Sequence, residues 1–154
     1  MPRTAHARML RLGRHSEEGR IYLITLTCRG RRPCFEDLYS GRCFPRALIA
    51  TRAQADTLCY VVMPDHAHWL MQLRPGADLS ATVRKVKSLT SRYRRLIHPA
   101  TDTLWQRGFH DRALRKEEGL TAAARYVVAN PLRAGLVDSV WRYSLWDAIW
   151  LERG

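Results

Sequence analysis

The sequence predicts an α+β fold, a ferredoxin-like antiparallel sheet of βαββαβ order with helices packed on one face. Three observations point there. Short runs rich in β-branched and aromatic residues alternate with stretches of helical periodicity. Two of those runs, 57–63 and 66–73, are separated only by Pro64-Asp65, a tight connection that returns the chain as a hairpin. The order is strand, helix, strand, strand, helix, strand, then a further helical segment, the pattern of a split βαβ sheet.

Residues 1–20 carry Arg3, Arg8, Arg11, Arg14 and Arg20 with little periodicity and read as a basic arm, ordered on a partner if at all. The run Ile21-Tyr22-Leu23-Ile24-Thr25-Leu26-Thr27-Cys28 reads as the first strand. It runs into Arg29-Gly30-Arg31-Arg32-Pro33, a basic turn that suits phosphate contact and equally suits a solvated loop. A helix is expected over 45–56, then a strand over 57–63 and another over 66–73, broken by Pro75-Gly76. The clearest helix spans 79–97, with Val83, Val86, Leu89, Tyr93, Leu96 and Ile97 at helical spacing. Its other side carries Arg84, Lys87, Arg94 and Arg95, and no acidic residue follows Asp78 in the span. A fourth strand is expected over 109–114 and a helix over 117–130, which Pro131 ends by disfavouring helical geometry at Asn130. The tail, with Trp141, Tyr143, Trp146 and Trp150, packs across the body as an extra helical segment.

At 154 residues the chain suits one domain with a proper core, a catalytic body over 21–150 behind the arm. It is 46% hydrophobic and 26% charged, a globular rather than a disordered profile. No apolar run approaches the roughly 20 residues of a membrane span, and the basic N-terminus lacks an apolar signal core. The expectation is a cytoplasmic protein with no membrane contact. A net charge of +12 favours polyanions, nucleic acid above all. All but three of the 26 basic residues are arginine, so codon bias explains part of the arginine content but not the net charge. Cys28, Cys34, Cys43 and Cys59 show no zinc-ligand spacing.

The strand 66–73 holds the densest chemistry. Successive side chains of a strand point to opposite faces, so His66 and His68 share one face with Leu70 and Gln72. Two imidazoles at i and i+2 can share one divalent cation, although a histidine pair by itself is more often a pair of ordinary hydrogen-bonded side chains. In the helix expected over 117–130, Tyr126 and Asn130 lie four residues apart on one face. Beside the histidines they would complete a site of two imidazoles and an amide oxygen for Mg²⁺ or Mn²⁺, with a phenol able to attack a polarised phosphodiester. The plainer assignment makes Tyr126 a buried aromatic and Asn130 a helix C-cap, and the helix taken alone favours it.

Four blocks narrow the choice. Val61-Val62-Met63-Pro64-Asp65-His66-Ala67-His68-Trp69-Leu70 and Ser88-Leu89-Thr90-Ser91-Arg92-Tyr93 resemble the single-tyrosine HUH transposases. Trp105-Gln106-Arg107-Gly108-Phe109-His110-Asp111 and Tyr126-Val127-Val128-Ala129-Asn130-Pro131-Leu132-Arg133-Ala134-Gly135-Leu136-Val137 are similar to the branch called REP-associated tyrosine transposases. The resemblance runs from about residue 21 to 148 in the family's order. It implies His66 and His68 as metal ligands, Asn130 as an amide ligand and Tyr126 as the nucleophile that forms a 5′-phosphotyrosine. It further implies single-stranded or hairpin DNA, at repetitive palindromic elements, as the partner. The middle residue of the His-x-His motif is Ala67, smaller than the family's usual bulky apolar residue, which leaves the ligands untouched. Phosphate contacts are expected from Arg29, Arg31, Arg32, Arg84, Lys87, Arg94 and Arg95. Two alternatives stay open beside the strand transferase: a catalytically silent hairpin-DNA-binding protein of the same fold, and a metal-dependent nucleic-acid hydrolase. Monomer and homodimer are both compatible with the sequence.

Overall fold

Seven residues of mostly β-branched, aliphatic and aromatic character, Ile21–Thr27, form strand β1 in a computed structural model that describes residues 20–99, 102–114 and 117–148. The arm expected over 1–20 lies, apart from Arg20, outside the described residues, as does Trp150. After a 3-10 turn at Arg29–Arg31 come helix α1 (Leu38–Ala50), strands β2 (Ala55–Met63) and β3 (His66–Leu73), and helix α2 (Leu79–Ile97). Strand β4 (His110–Leu114), helices α3 (Glu117–Val128) and α4 (Asn130–Arg133), a 3-10 turn at Val140–Arg142 and strand β5 (Trp146–Ala148) complete the order. The strands form one five-stranded antiparallel sheet in the order β4-β1-β3-β2-β5. This is the expected α+β, ferredoxin-like arrangement with one strand added. β3 and α2 begin and end where the sequence put them.

One expectation about the layers is corrected. The helices cover both faces of the sheet, not one. Ile24, Leu26, Trp69, Met71 and Leu73 pack against Phe44 and Ala47 of α1 and against Leu79, Val83 and Val86 of α2. Leu23, Val61, Met63 and Leu70 point the other way and pack under Ala123, Ala124 and Val127 of α3. The physical reason is visible in β2 and β3, whose apolar runs are nearly unbroken. A strand that is apolar on both faces needs cover on both. Trp69, fully buried between β3 and the first helical layer, would cost roughly 3–5 kcal/mol if cut back to alanine.

Boundaries moved where side chains bond to backbone. The helix expected over 45–56 is α1 at 38–50, because the Asp37 side chain accepts a hydrogen bond from Ser40 N at 2.9 Å and caps its start. Thr51 Oγ1 donates to the Ala47 and Leu48 carbonyls and closes its end. Pro45 therefore sits inside the helix rather than opening it. The helix expected to reach Asn130 stops at Val128, and Asn130 begins a second short helix instead. Pro131 lies in that helix's first turn, where its missing N–H is not needed. The extra C-terminal helical segment is corrected to a 3-10 turn and a fifth strand. β5 pairs Trp146, Asp147 and Ala148 with Val61, Tyr60 and Cys59, and Tyr143 Oη donates to the Val62 carbonyl at 2.6 Å.

Candidate functional site

β3 is the central strand of the sheet, and its two histidines emerge on the face that α3 covers. Their ring centroids are 4.9 Å apart at an interplanar angle of 81°. Each Nδ1 already has a partner. His66 Nδ1 lies 2.7 Å from Asp65 Oδ1, and His68 Nδ1 lies 2.9 Å from Thr25 Oγ1, across the β1–β3 pair. With both Nδ1 atoms engaged, the two Nε2 atoms remain for an outside ligand, the arrangement in which a neighbouring acceptor sets ring orientation and tautomer.

The same carboxylate reaches further. Asp65 Oδ2 accepts from Arg31 Nη1 at 2.9 Å, so Arg31, Asp65 and His66 form a relay from the surface to the site. Burial acts to raise the Asp65 pKa, but the hydrogen bonds and charges of His66 and Arg31 together hold it below the ordinary carboxylate value. Backbone bonds fasten the Arg31 loop to the same turn: Cys28 N donates to Asp65 O and Phe35 N to Pro64 O, each at 2.9 Å. At the tip, Gly30 and Arg31 adopt φ of 62° and 55°, strained only for the arginine. His68 is 6% exposed; burial first, then the charges of His66 and Arg133, pushes its pKa down to about 3. It is a neutral imidazole at physiological pH.

Tyr126 comes to this face from α3. Its ring lies 5.5 Å from that of His68 at 73°, and it is 46% exposed, so it is not the buried aromatic of the plainer assignment. The Arg133 guanidinium sits 4.1 Å over the Tyr126 ring, while Arg133 Nη2 donates to the Tyr126 carbonyl at 2.8 Å. Asn130, buried one turn beyond, donates from Nδ2 to the carbonyls of Tyr126 at 3.0 Å and Val127 at 3.4 Å. Its amide nitrogen thus does cap the last turn of α3, and its Oδ1 is left as an acceptor. The two assignments of Asn130 use different atoms of one side chain.

Among the described residues no group of three or more His, Cys, Asp or Glu side chains is placed to hold a metal. Among those residues, a third protein donor beside the histidine pair would be of another kind, such as the amide oxygen of Asn130. Two imidazole nitrogens and an amide oxygen make a mixed donor set that suits Mg²⁺ or Mn²⁺ with water completing the shell.

The basic residues are distributed differently from the sequence expectation. Arg29, Arg31 and Arg32 are exposed near the site, but Arg31 is tied to Asp65, and Arg32 donates to Asp102 at 3.2 Å and to the Thr103 carbonyl at 3.0 Å. On α2 the expected stripe is divided. Arg84 and Arg95 are exposed, whereas Lys87 and Arg94 are half-buried. Lys87 Nζ donates to the Gln106 carbonyl at 3.0 Å and the Gly108 carbonyl at 2.9 Å, and burial lowers its pKa. α2 also packs on the sheet face opposite the histidines, so this stripe does not adjoin Tyr126. From sequence, Thr25 and Arg133 carry no expected role in the site, and Asp65 only that of a turn residue. Thr25 needs the β1–β3 register, and Arg133 acts across a helix break, so no spacing rule reaches either.

Residues 19–130 match the family model described as "Transposase IS200 like". A curated relative from Haemophilus influenzae, named as a REP-associated tyrosine transposase, is 29% identical over 102 residues, 58% of this chain and 57% of the relative. The chain thus matches little more than half the length of that protein. Among solved structures, a REP-associated tyrosine transposase bound to a REP hairpin superposes with a TM-score of 0.73 at 23% identity, covering 86% of this chain and 79% of the other. A protein described as a transposase of Deinococcus radiodurans R1 gives 0.55 at 16% identity, covering 75% and 93%. At such identities the two structural likenesses speak to the fold.

Proposed function

The chain belongs to the IS200-like transposase family, and from that premise we propose that it cuts and rejoins single-stranded DNA through a 5′-phosphotyrosine on Tyr126. The observation behind this reading is the meeting of three side chains from two elements, Tyr126 beside His68 and His68 beside His66. His66, His68 and Asn130 would hold Mg²⁺ or Mn²⁺. Bound there, the cation supplies Lewis acidity, drawing charge from the phosphate oxygens and from the leaving oxygen. Hairpin DNA at palindromic repeats is the proposed substrate, by similarity to the relative that was solved with a REP hairpin.

The chain's own residues then divide the work. Tyr126 Oη attacks the scissile phosphorus; the O–P bond forms as the P–O3′ bond breaks. The phenolic proton passes to solvent, and the departing 3′ oxygen takes one up. Arg133, stacked on the ring and bonded to the tyrosine's own carbonyl, fixes the ring's direction and sets positive charge beside the incoming phosphate. Asp65 and Thr25 hold the two imidazoles in place through Nδ1. Since the tyrosyl ester keeps the energy of the broken bond, a free DNA 3′-OH can attack it later and restore the strand without a nucleotide cofactor. The exposed Arg29, Arg84 and Arg95 are proposed to contact phosphates outside the reacting centre.

The test uses a hairpin oligonucleotide with single-stranded flanks, Mn²⁺ or Mg²⁺, and a denaturing gel. A label 3′ of the cut should travel with the protein and a 5′ label should not. Tyr126→Phe should bind as before and form no adduct. Bound but uncut DNA would mark a binding protein. Free cut product from the Phe variant would make water the nucleophile and the protein a hydrolase.

A further inference from the structure

α3 does not roof the whole site face of the sheet. It packs over β2 and β3, and beside it, over β1 and β4, lies a cavity of about 450 Å³. The β register explains its chemistry. Thr25 pairs with His68 on one side and with His110 on the other, so His110, Thr25 and His68 lie in one row on one face. Leu23 pairs with Leu70 and Arg112 in the next such row. Leu23 and Thr25 thus form the floor, Ala122 and the Tyr126 ring form the wall, His68 closes the inner end, and His110, Asp111 and Arg112 stand on the rim. Strands about 4.8 Å apart put His110 roughly 10 Å across the sheet from His68, which sets the rim well away from the imidazole pair. His110 and Arg112 are exposed, and β4 is an edge strand, so the cavity opens to the side of the sheet.

We propose that this cavity takes the base of the nucleotide adjoining the scissile phosphate, turned out of the strand, and that Arg112 and His110 recognise it. The proposal rests on the strand-transfer reading above, because it uses Tyr126 as the wall where the reacting phosphate arrives. A base fits better than a second phosphate. The floor and wall present leucine, threonine, alanine and an aromatic ring, surfaces that a nucleobase can stack on, and the Asp111 carboxylate disfavours an anion. The rim supplies one planar guanidinium able to fork onto a base edge and one imidazole able to stack or donate. Ala122 is the small residue that leaves the room. Filling it would narrow the cavity while leaving Tyr126, His66 and His68 themselves unreplaced, although a larger side chain at 122 would lie against the Tyr126 ring one turn on.

The experiment walks an abasic site through the nucleotides flanking the cut and measures the rate of adduct formation. One position should lose roughly tenfold with the wild-type protein, the scale of a lost base–side-chain stack. The Arg112→Ala/His110→Ala double variant should lose a similar factor on the intact strand and nothing further on that abasic strand. Ala122→Phe should behave like the double variant. A parallel titration with 2-aminopurine at each flanking position reads seating by its fluorescence, without any chemistry. Quenching confined to one position and lost in the double variant supports the pocket even if no adduct ever forms, which separates it from failure of the transferase reading. The pocket proposal is overturned if the double variant keeps the wild-type abasic profile, or if no flanking position responds in either assay.

Discussion

Replacing Asp65 with alanine removes the acceptor that holds His66 Nδ1 and, with it, the partner of Arg31. The His66 ring then keeps its place on β3 but loses the bond that directs Nε2. Losing such a supporting group typically weakens metal binding 10–100-fold, which corresponds to about 1.4–2.7 kcal/mol. Arg31 bears on the same site only through Asp65, and its side chain is 66% exposed. An exposed ion pair contributes about 0.2–1 kcal/mol, so Arg31→Ala should weaken binding less than about fivefold. Asp65→Asn keeps an acceptor and loses the charge, so it should fall between the two. In the Asp65→Ala background, Arg31→Ala should add nothing, because the relay is already cut. Mn²⁺ titration followed by the electron-spin signal of the free ion measures each affinity, with thermal unfolding as the check on the fold. An Asp65→Ala protein that binds Mn²⁺ like the wild type, or an Arg31 effect larger than the Asp65 effect, would refute the relay.

Three further outcomes follow from the geometry. Asn130→Ala should weaken Mn²⁺ binding through loss of Oδ1 and also lower stability by about 1 kcal/mol through loss of the Nδ2 bonds to the end of α3; a stability loss with unchanged metal affinity would leave Asn130 as a cap alone. Hairpin affinity should fall with salt at a log–log slope of about −0.7 to −0.9 per phosphate contacted. Arg84→Ala or Arg95→Ala should flatten that slope by about one contact each, whereas Lys87→Ala should act on unfolding, since its ammonium is spent on the Gln106 and Gly108 carbonyls. Asp37→Ala should cost about 1 kcal/mol by uncapping α1. Although burial pulls the other way, the bonds from Ser40 and the charge of His98 lower the Asp37 pKa in the folded state. Its contribution is therefore complete above the unfolded carboxylate pKa near about 4 and is lost as pH falls through the lower folded value. Chemical denaturation from neutral pH down into that range should show a shallower loss for the alanine variant than for the wild type.

How far the sequence could be read depended on whether a feature is local. The histidine pair was legible because alternation along one strand fixes which side chains share a face, and β3 kept its expected bounds. So was the hairpin at Pro64-Asp65. The second helical layer was present in the sequence as unbroken apolar runs in β2 and β3, but a ferredoxin-like pattern invited cover on one face only. The start of α1 was obscured by Pro45, which resembles a first-turn proline until Asp37 is seen capping the helix well upstream of it. β5 is three residues long, too short for any periodicity to show. In the site, Tyr126 and Asn130 share a face of the expected helix, but the helix alone favours the plainer assignment, and only the resemblance of their block to the transposases singles them out. Thr25, Arg133 and the carbonyls that hold Lys87 come from register, a broken helix and a loop, and none of these leaves a repeat in the sequence.

The placement of the site on two elements sets how each half resists opening. β3 is bonded along both edges, to β1 and β2, so exchanging an amide near His68 requires the sheet itself to come apart. α3 is held to that sheet by Ala123, Ala124 and Val127, with Leu120 and Val128 partly buried beside them, a small apolar area for a helix of 12 residues. Local opening follows the area that must be re-exposed. In native-state hydrogen exchange, amides of 67–71 should therefore be the slowest class, reporting global unfolding, and those of 121–127 a faster one reporting a sub-global event. The imidazoles share the stability of the whole domain. The tyrosine should share only that of its helix, and the two halves of the site should then open at different rates.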